Sequence, residues 1–86
     1  MSQTLLMRVE RRVYCDVKGL GERIKKARKA DSRPLTKLAA EADMSVPNWY
    51  AIENEEVKAL PEETLRKMEN VLGKDFGVRF DDLDRS

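Results

Sequence analysis

The chain contains no histidine and only one cysteine, Cys15. A single Cys without His cannot build a zinc site, and no internal disulfide is open to it. The absence of His also removes the commonest general base. No nucleophile–base pair and no phosphate-cradling glycine loop can be read, so an enzyme is poorly supported. The paired acids Glu62/Glu63 and Asp81/Asp82 are sequence neighbours and read as helix-cap and tail solvation. No cofactor and no metal are expected, and no small-molecule ligand is evident. Cys15 reads either as a buried, inert residue or as half of an intermolecular disulfide or redox switch.

Long apolar runs are missing too, so no stretch is long enough to span a membrane. Residues 1–7 lack a basic flank and a long apolar core and do not read as a signal peptide. A cytoplasmic protein with no membrane partner is the expectation. Eighty-six residues allow one domain, with a core too small for a deep substrate cavity. With 41% hydrophobic and 38% charged residues, the chain reads as globular rather than disordered.

Charge is abundant and segregated. Residues 8–37 carry 11 of the 17 Lys/Arg (Arg8, Arg11, Arg12, Lys18, Arg23, Lys25, Lys26, Arg28, Lys29, Arg33, Lys37) but four of the 16 acids. That part is +7 and the remainder −6, beneath a net charge of +1. Such asymmetry points to a polyanionic partner or to self-association of opposite faces.

Leu5, Met7, Val9, Val13, Cys15 and Val17 fall on odd positions, with charged residues on most even ones, which predicts a half-buried strand over 5–17. A helix with Leu5, Val9, Val13 and Val17 at i, i+4 is the competitor, and the β-branched content favours strand. A lone strand needs a partner. Phe76, Val78 and Phe80 predict a second short strand that pairs with the first, or the first pairs with its copy in a second subunit.

Helical signals fill the interval. Leu20, Ile24 and Ala27, with Ala30 as a further candidate, form an apolar stripe after Gly19. The run 31–34 ends that helix, and Leu35, Leu38, Ala39 and Ala42 supply the next apolar face. Asp43-Met44-Ser45 reads as a turn in which Ser45 N-caps a third helix to about Glu53. Met44 and Trp49 stand at hydrophobic-staple spacing, and Pro47 sits in the first turn. Residues 54–60 read as a loop. Pro61 opens a fourth helix with core positions Leu65, Met68, Val71 and Leu72, which Gly73 stops.

Two short helices joined by a three- or four-residue turn have helix-turn-helix spacing. The run Leu38-Ala39-Ala40-Glu41-Ala42-Asp43-Met44-Ser45, followed by Trp49, Ile52 and Glu53, resembles the Cro and phage-repressor (XRE-like) helix-turn-helix family. Leu20 to Arg28 is similar to that family's first helix and Pro61 to Gly73 to its fourth, so the resemblance covers about residues 19–75. It implies a mostly α fold: a four-helix repressor-like bundle, here with short N- and C-terminal strands. Leu38, Ala39, Ala42, Met44, Trp49 and Ile52 would form the shared core. It also implies that Arg28 and Glu53 make a structural ion pair. The expected organisation is an N-terminal strand and dimerisation arm at 1–18, a helix-turn-helix bundle at 19–75, and a C-terminal strand with an acidic tail at 76–86.

The function this implies is a sequence-specific, double-stranded-DNA-binding transcription regulator, of repressor type, acting as a homodimer. Its recognition helix, at about 45–53, would enter the major groove. Ser45, Val46, Pro47, Asn48, Tyr50 and Asn54 are its candidate DNA-binding residues, with Ala51 beside them. Asn48 suits adenine, Val46 or Ala51 a thymine methyl, and Tyr50 either a phosphate or ordinary packing. Thr36, Lys37 and Lys58 are candidate phosphate contacts. Three features depart from the family pattern. Leu35 replaces the usual Gln, Asp43 replaces the turn Gly, and Glu55 and Glu56 bring carboxylates near the expected backbone. The alternative function is a helix-turn-helix protein-interaction adaptor or antitoxin-like partner with weak DNA binding.

Overall fold

Two strands, β1 (Leu6–Glu10) and β2 (Tyr14–Lys18), stand where the sequence reads one strand over 5–17. They form an antiparallel pair in which Met7 faces Val17, Val9 faces Cys15 and Glu10 faces Tyr14. Every pair joins residues of the same parity, so the apolar alternation stays in phase across residues 11–13 and conceals the reversal. The computed structural model describes residues 6–10 and 14–79, without the side chains of residues 6, 10 and 14–16. Expectations placed on Arg11, Arg12 and Val13, on the side chain of Cys15, and on Phe80 and the acidic tail lie outside the described residues.

After the strands come α1 (Leu20–Ala30), α2 (Leu35–Glu41), α3 (Val46–Glu53), the two-residue β3 (Leu60–Pro61) and α4 (Glu62–Leu72). The sheet order is β2–β1–β3, with β3 parallel to β1 and Leu60 opposite Val9. The described residues thus form a small, mostly helical domain of four helices and a three-stranded sheet.

The helices begin and end for local reasons. Gly19 takes the left-handed φ of 70° that reverses the chain from β2 into α1. Pro34 precedes α2 in an extended conformation, its missing N–H costing no intrahelical bond. The Ser45 hydroxyl accepts the Asn48 amide at 3.2 Å and caps α3, as expected. Gly73 closes α4 at φ 65°. Asp43, in the turn, has φ 61°, a left-handed conformation that Asp enters more readily than most residues.

One core joins all of this. Met7 and Val9 of β1 are buried with Leu20, Ile24, Leu38, Trp49, Ile52, Leu60, Leu65, Met68, Phe76 and Val78. Met7 and Val9 thus pack into the same core as the helices that follow residue 18, and this apolar side of β1 is covered by its own chain. Of the implied shared core, Leu38, Ala39, Ala42, Trp49 and Ile52 are buried, and Met44 is half-buried against them. Ala30 is exposed, so the α1 stripe ends at Ala27.

The C-terminal segment departs from expectation. Phe76 and Val78 are buried, but residues 74–79 form no strand. β2 pairs along one edge of β1, β3 takes the Val9–Glu10 end of the other, and Gly77 turns left-handed at φ 78°. Side chains satisfy this backbone instead. Glu69 Oε2 accepts the Phe76 amide at 2.8 Å, Arg23 donates to the Phe76 carbonyl at 2.9 Å, and Arg66 donates to the Val78 carbonyl at 2.7 Å. Glu69 and Arg66 also pair with each other at 2.8 Å.

Candidate nucleic-acid interface

The α2–turn–α3 unit carries the residues picked out by the sequence. Trp49, Ile52 and Glu53 point α3 into the domain and fix which of its sides remains outside. Pro47, Tyr50, Ala51 and Asn54, at i, i+3, i+4 and i+7, make up the outward stripe, with Asn48 at its flank. Pro47, Asn48, Tyr50 and Asn54 are exposed and Ala51 is half-exposed. Val46 is half-buried against the core, which removes it from the freely outward set. Ser45 is exposed, but its hydroxyl is engaged as the α3 cap.

Tyr50, 45% exposed, is the one large exposed hydrophobic among the described residues. The Arg28 guanidinium lies 5.5 Å from its ring centroid, within cation–π range. Asn48 keeps its side chain outside, with Nδ2 at 4.0 Å from the Met44 sulfur, a weak contact that leaves its amide available.

The ion pair expected from the resemblance is formed. Arg28 Nε donates to Glu53 Oε2 at 2.5 Å and Nη2 donates to Oε1 at 2.9 Å. The Trp49 indole N–H adds a third bond to Glu53 Oε2 at 2.7 Å. The Glu53 side chain is 1% exposed and that of Arg28 16%, so both are withdrawn from water. Hydrogen bonding to Glu53 raises the pKa of Arg28. This bidentate bond joins α1 to α3 and fixes how far α3 stands out.

The cations expected at phosphates lie at the edges. Thr36 and Lys37 are exposed in the first turn of α2, and Lys58 is exposed in the loop before β3. Lys37 Nζ rests 3.8 Å from Glu41, an exposed pair that contributes little to stability. Leu35, where the family carries Gln, is half-buried against the core.

The acidic loop behaves differently from its sequence reading. Glu55, at a left-handed φ of 57°, turns inward and accepts the Gly21 amide on Oε2 at 2.9 Å. Its carboxylate sits at the N-terminal end of α1, where the helix dipole favours negative charge. The other oxygen, Oε1, is buried with no hydrogen-bond partner. Only Glu56 of the two acids is exposed. No sequence pattern signals Glu55 as a long-range cap; Gly21 is the nearest clue, because a backbone approaches it closely. Arg33 was also missed. It holds Asp31 at 2.8 Å, Glu41 at 3.3 Å and the Val71 carbonyl at 2.7 Å, so this member of the basic half serves the fold.

Among the described residues no group of three or more Cys, Asp or Glu is arranged to hold a metal ion. No described helix is long and apolar enough to cross a membrane. No family model matches the chain, and no curated protein or solved structure matches it significantly.

Proposed function

We propose that this chain is a sequence-specific DNA-binding transcription regulator of repressor type, a cytoplasmic, non-enzymatic protein that acts as a dimer and reads the major groove with α3. The proposal takes the α2–turn–α3 unit as a repressor-like helix-turn-helix. The observation that carries it is the outward stripe of α3. Pro47, Asn48, Tyr50 and Asn54 are kept exposed by a helix that is capped at Ser45 and clamped from behind through Arg28, Glu53 and Trp49. A rigid helix with free polar side chains near its N-terminus suits base edges. Withdrawal of Glu55 into α1 supports the reading further, because it takes one of two opposing carboxylates away from a phosphate backbone.

The stripe itself carries no cation, so affinity rests on Lys37, Lys58 and other peripheral Lys/Arg, and specificity on Asn48 and Tyr50. The dimer does not need an uncovered apolar face, since Met7 and Val9 are buried at home. The outer edge of β2, which no described strand covers, is the surface that supports it.

The neutral stripe and exposed Glu56 favour the second reading, an adaptor or antitoxin-like partner that contacts protein. Selection of bound duplexes from a random pool separates the two. A palindromic consensus is the expected result, and no enrichment at low salt would leave the adaptor.

A further inference from the structure

On the side of α1 that meets the C-terminal segment, a groove of about 350 Å³ is lined by Arg23, Lys26, Ala27, Ala30, Lys74, Asp75 and Phe76. We propose that it binds a small phosphate monoester with a flat apolar body. The inference rests on this groove alone and is independent of the DNA reading.

Charge is the first argument. Lys26, Lys74 and Arg23 border one opening, and none of them has a carboxylate partner among the described residues. The single acid of the lining is already neutralised. Asp75 accepts Arg79 at 2.6 Å and the Gly77 amide at 2.8 Å. Three cations around one opening, with their only acid engaged elsewhere, favour a dianion over a monocarboxylate.

Geometry is the second. Arg23 commits one nitrogen, Nη1, to the Phe76 carbonyl. That bond holds the guanidinium in place and leaves its other N–H donors for a ligand oxygen. A phosphate monoester offers three strong acceptor oxygens to such a set. Ala27 and Ala30 stand one turn apart on α1 and are too short to fill the space above them. They give the groove an apolar strip beside its charged rim, with Phe76, itself largely buried in the core, at its border. That combination discriminates against inorganic phosphate, which has nothing to lay on the strip. The space is shallow and open to solvent, with room for one ring and its phosphate lying along the surface.

The test is titration of the full chain at low ionic strength with phenyl phosphate, with inorganic phosphate and benzyl alcohol as comparators, followed by amide chemical shifts. The expected result is saturable movement of the amides of residues 26, 27, 74 and 76, with phenyl phosphate binding about tenfold more tightly than either comparator. Lys26→Glu and Lys74→Glu, both at exposed positions, are expected to weaken binding about tenfold each while the melting temperature holds. Equal binding of inorganic phosphate would overturn the proposal, as would unsaturable shifts spread over all lysines. So would full affinity in the double variant. Shifts of these same amides by duplex DNA but not by phenyl phosphate would overturn it in favour of a backbone contact.

Discussion

The Arg28 guanidinium both grips Glu53 through two hydrogen bonds and covers the Tyr50 ring at 5.5 Å. One α1 side chain therefore holds a buried residue of α3 and an outward residue of the same helix. Arg28→Ala is expected to destabilise the domain by about 2–3 kcal/mol, because the buried Glu53 carboxylate keeps only the Trp49 indole. Arg28→Lys keeps the charge but loses the fork and the stacked plane, and should recover less than half of that loss. Chemical denaturation followed by Trp49 fluorescence measures both. Unchanged stability in Arg28→Ala would show the pair to be dispensable.

Gly21→Ala runs against helix propensity. In an open helix position the change gains about 1 kcal/mol. Here an added Cβ would fall on the Glu53 carbonyl oxygen and within 2.8 Å of Glu55 Cγ. The backbone oxygen cannot swing aside, so a net loss of about 1–3 kcal/mol is expected. A stabilised variant would refute the close approach of the 53–55 backbone to α1.

Asp31 and Asp75 give a pH signature. Hydrogen bonds from Arg33 and Arg79 respectively hold each carboxyl at about 2, below the ordinary 3.8. A depressed folded-state pKa adds stability that is fully present above the unfolded value and is lost as pH falls through the folded one. The stability difference between the parent and Asp31→Asn should be constant at neutral pH, shrink below about pH 4 and vanish near pH 2. Melting temperatures of both proteins across that range provide the check, and a pH-independent difference would count against the Arg33 contact.

On the DNA reading, Asn48→Ala is expected to cost about 1–3 kcal/mol against the selected site and little against random duplex. Lys37→Ala and Lys58→Ala should weaken both and flatten the salt dependence by about one unit for each lost phosphate contact. Tyr50→Phe separates the hydroxyl from the Arg28-backed ring; a loss in Tyr50→Ala alone assigns the role to the ring. Binding undiminished in all five variants would move the DNA surface off α3.

A chain beginning at Gly19 should fail to melt cooperatively. It would lack Met7 and Val9, each fully buried and worth about 1.5–3 kcal/mol. That sum is comparable with the total stability of a small domain, about 5–15 kcal/mol. A cooperative transition in the shortened protein would restore a separable N-terminal arm.

The helices were legible because each carries its own period and its own stop. Ser45, Gly73 and the apolar spacing of α4 act within a turn or two of the residues they explain. The β1–β2 pairing was not legible, since the sequence between Glu10 and Tyr14 contains no Gly, Pro, Asn or Asp and the register preserves parity. Phe76 and Val78 reveal their burial by alternation but not their lack of strand pairing, which goes with the left-handed turn at Gly77 and with side chains satisfying the backbone. At the candidate interface, exposure of Pro47, Asn48 and Tyr50 followed from helix periodicity. Capture of Glu55 by the Gly21 amide did not, because it joins residues 34 positions apart.

The core that unites β1 with the 76–78 segment also sets when the domain becomes complete. Val9 has Leu60 as its partner in the sheet, and Phe76 and Val78 fill the same interior. During synthesis the four helices emerge in turn, yet the enclosure is expected to stay incomplete until residues 76–78 follow them. At about 5–20 residues per second, roughly 4–14 s separate Met7 from Val78. The nascent β-hairpin is expected to keep part of its apolar side uncovered through that interval, and the coil at 74–78, rather than any helix, completes the domain.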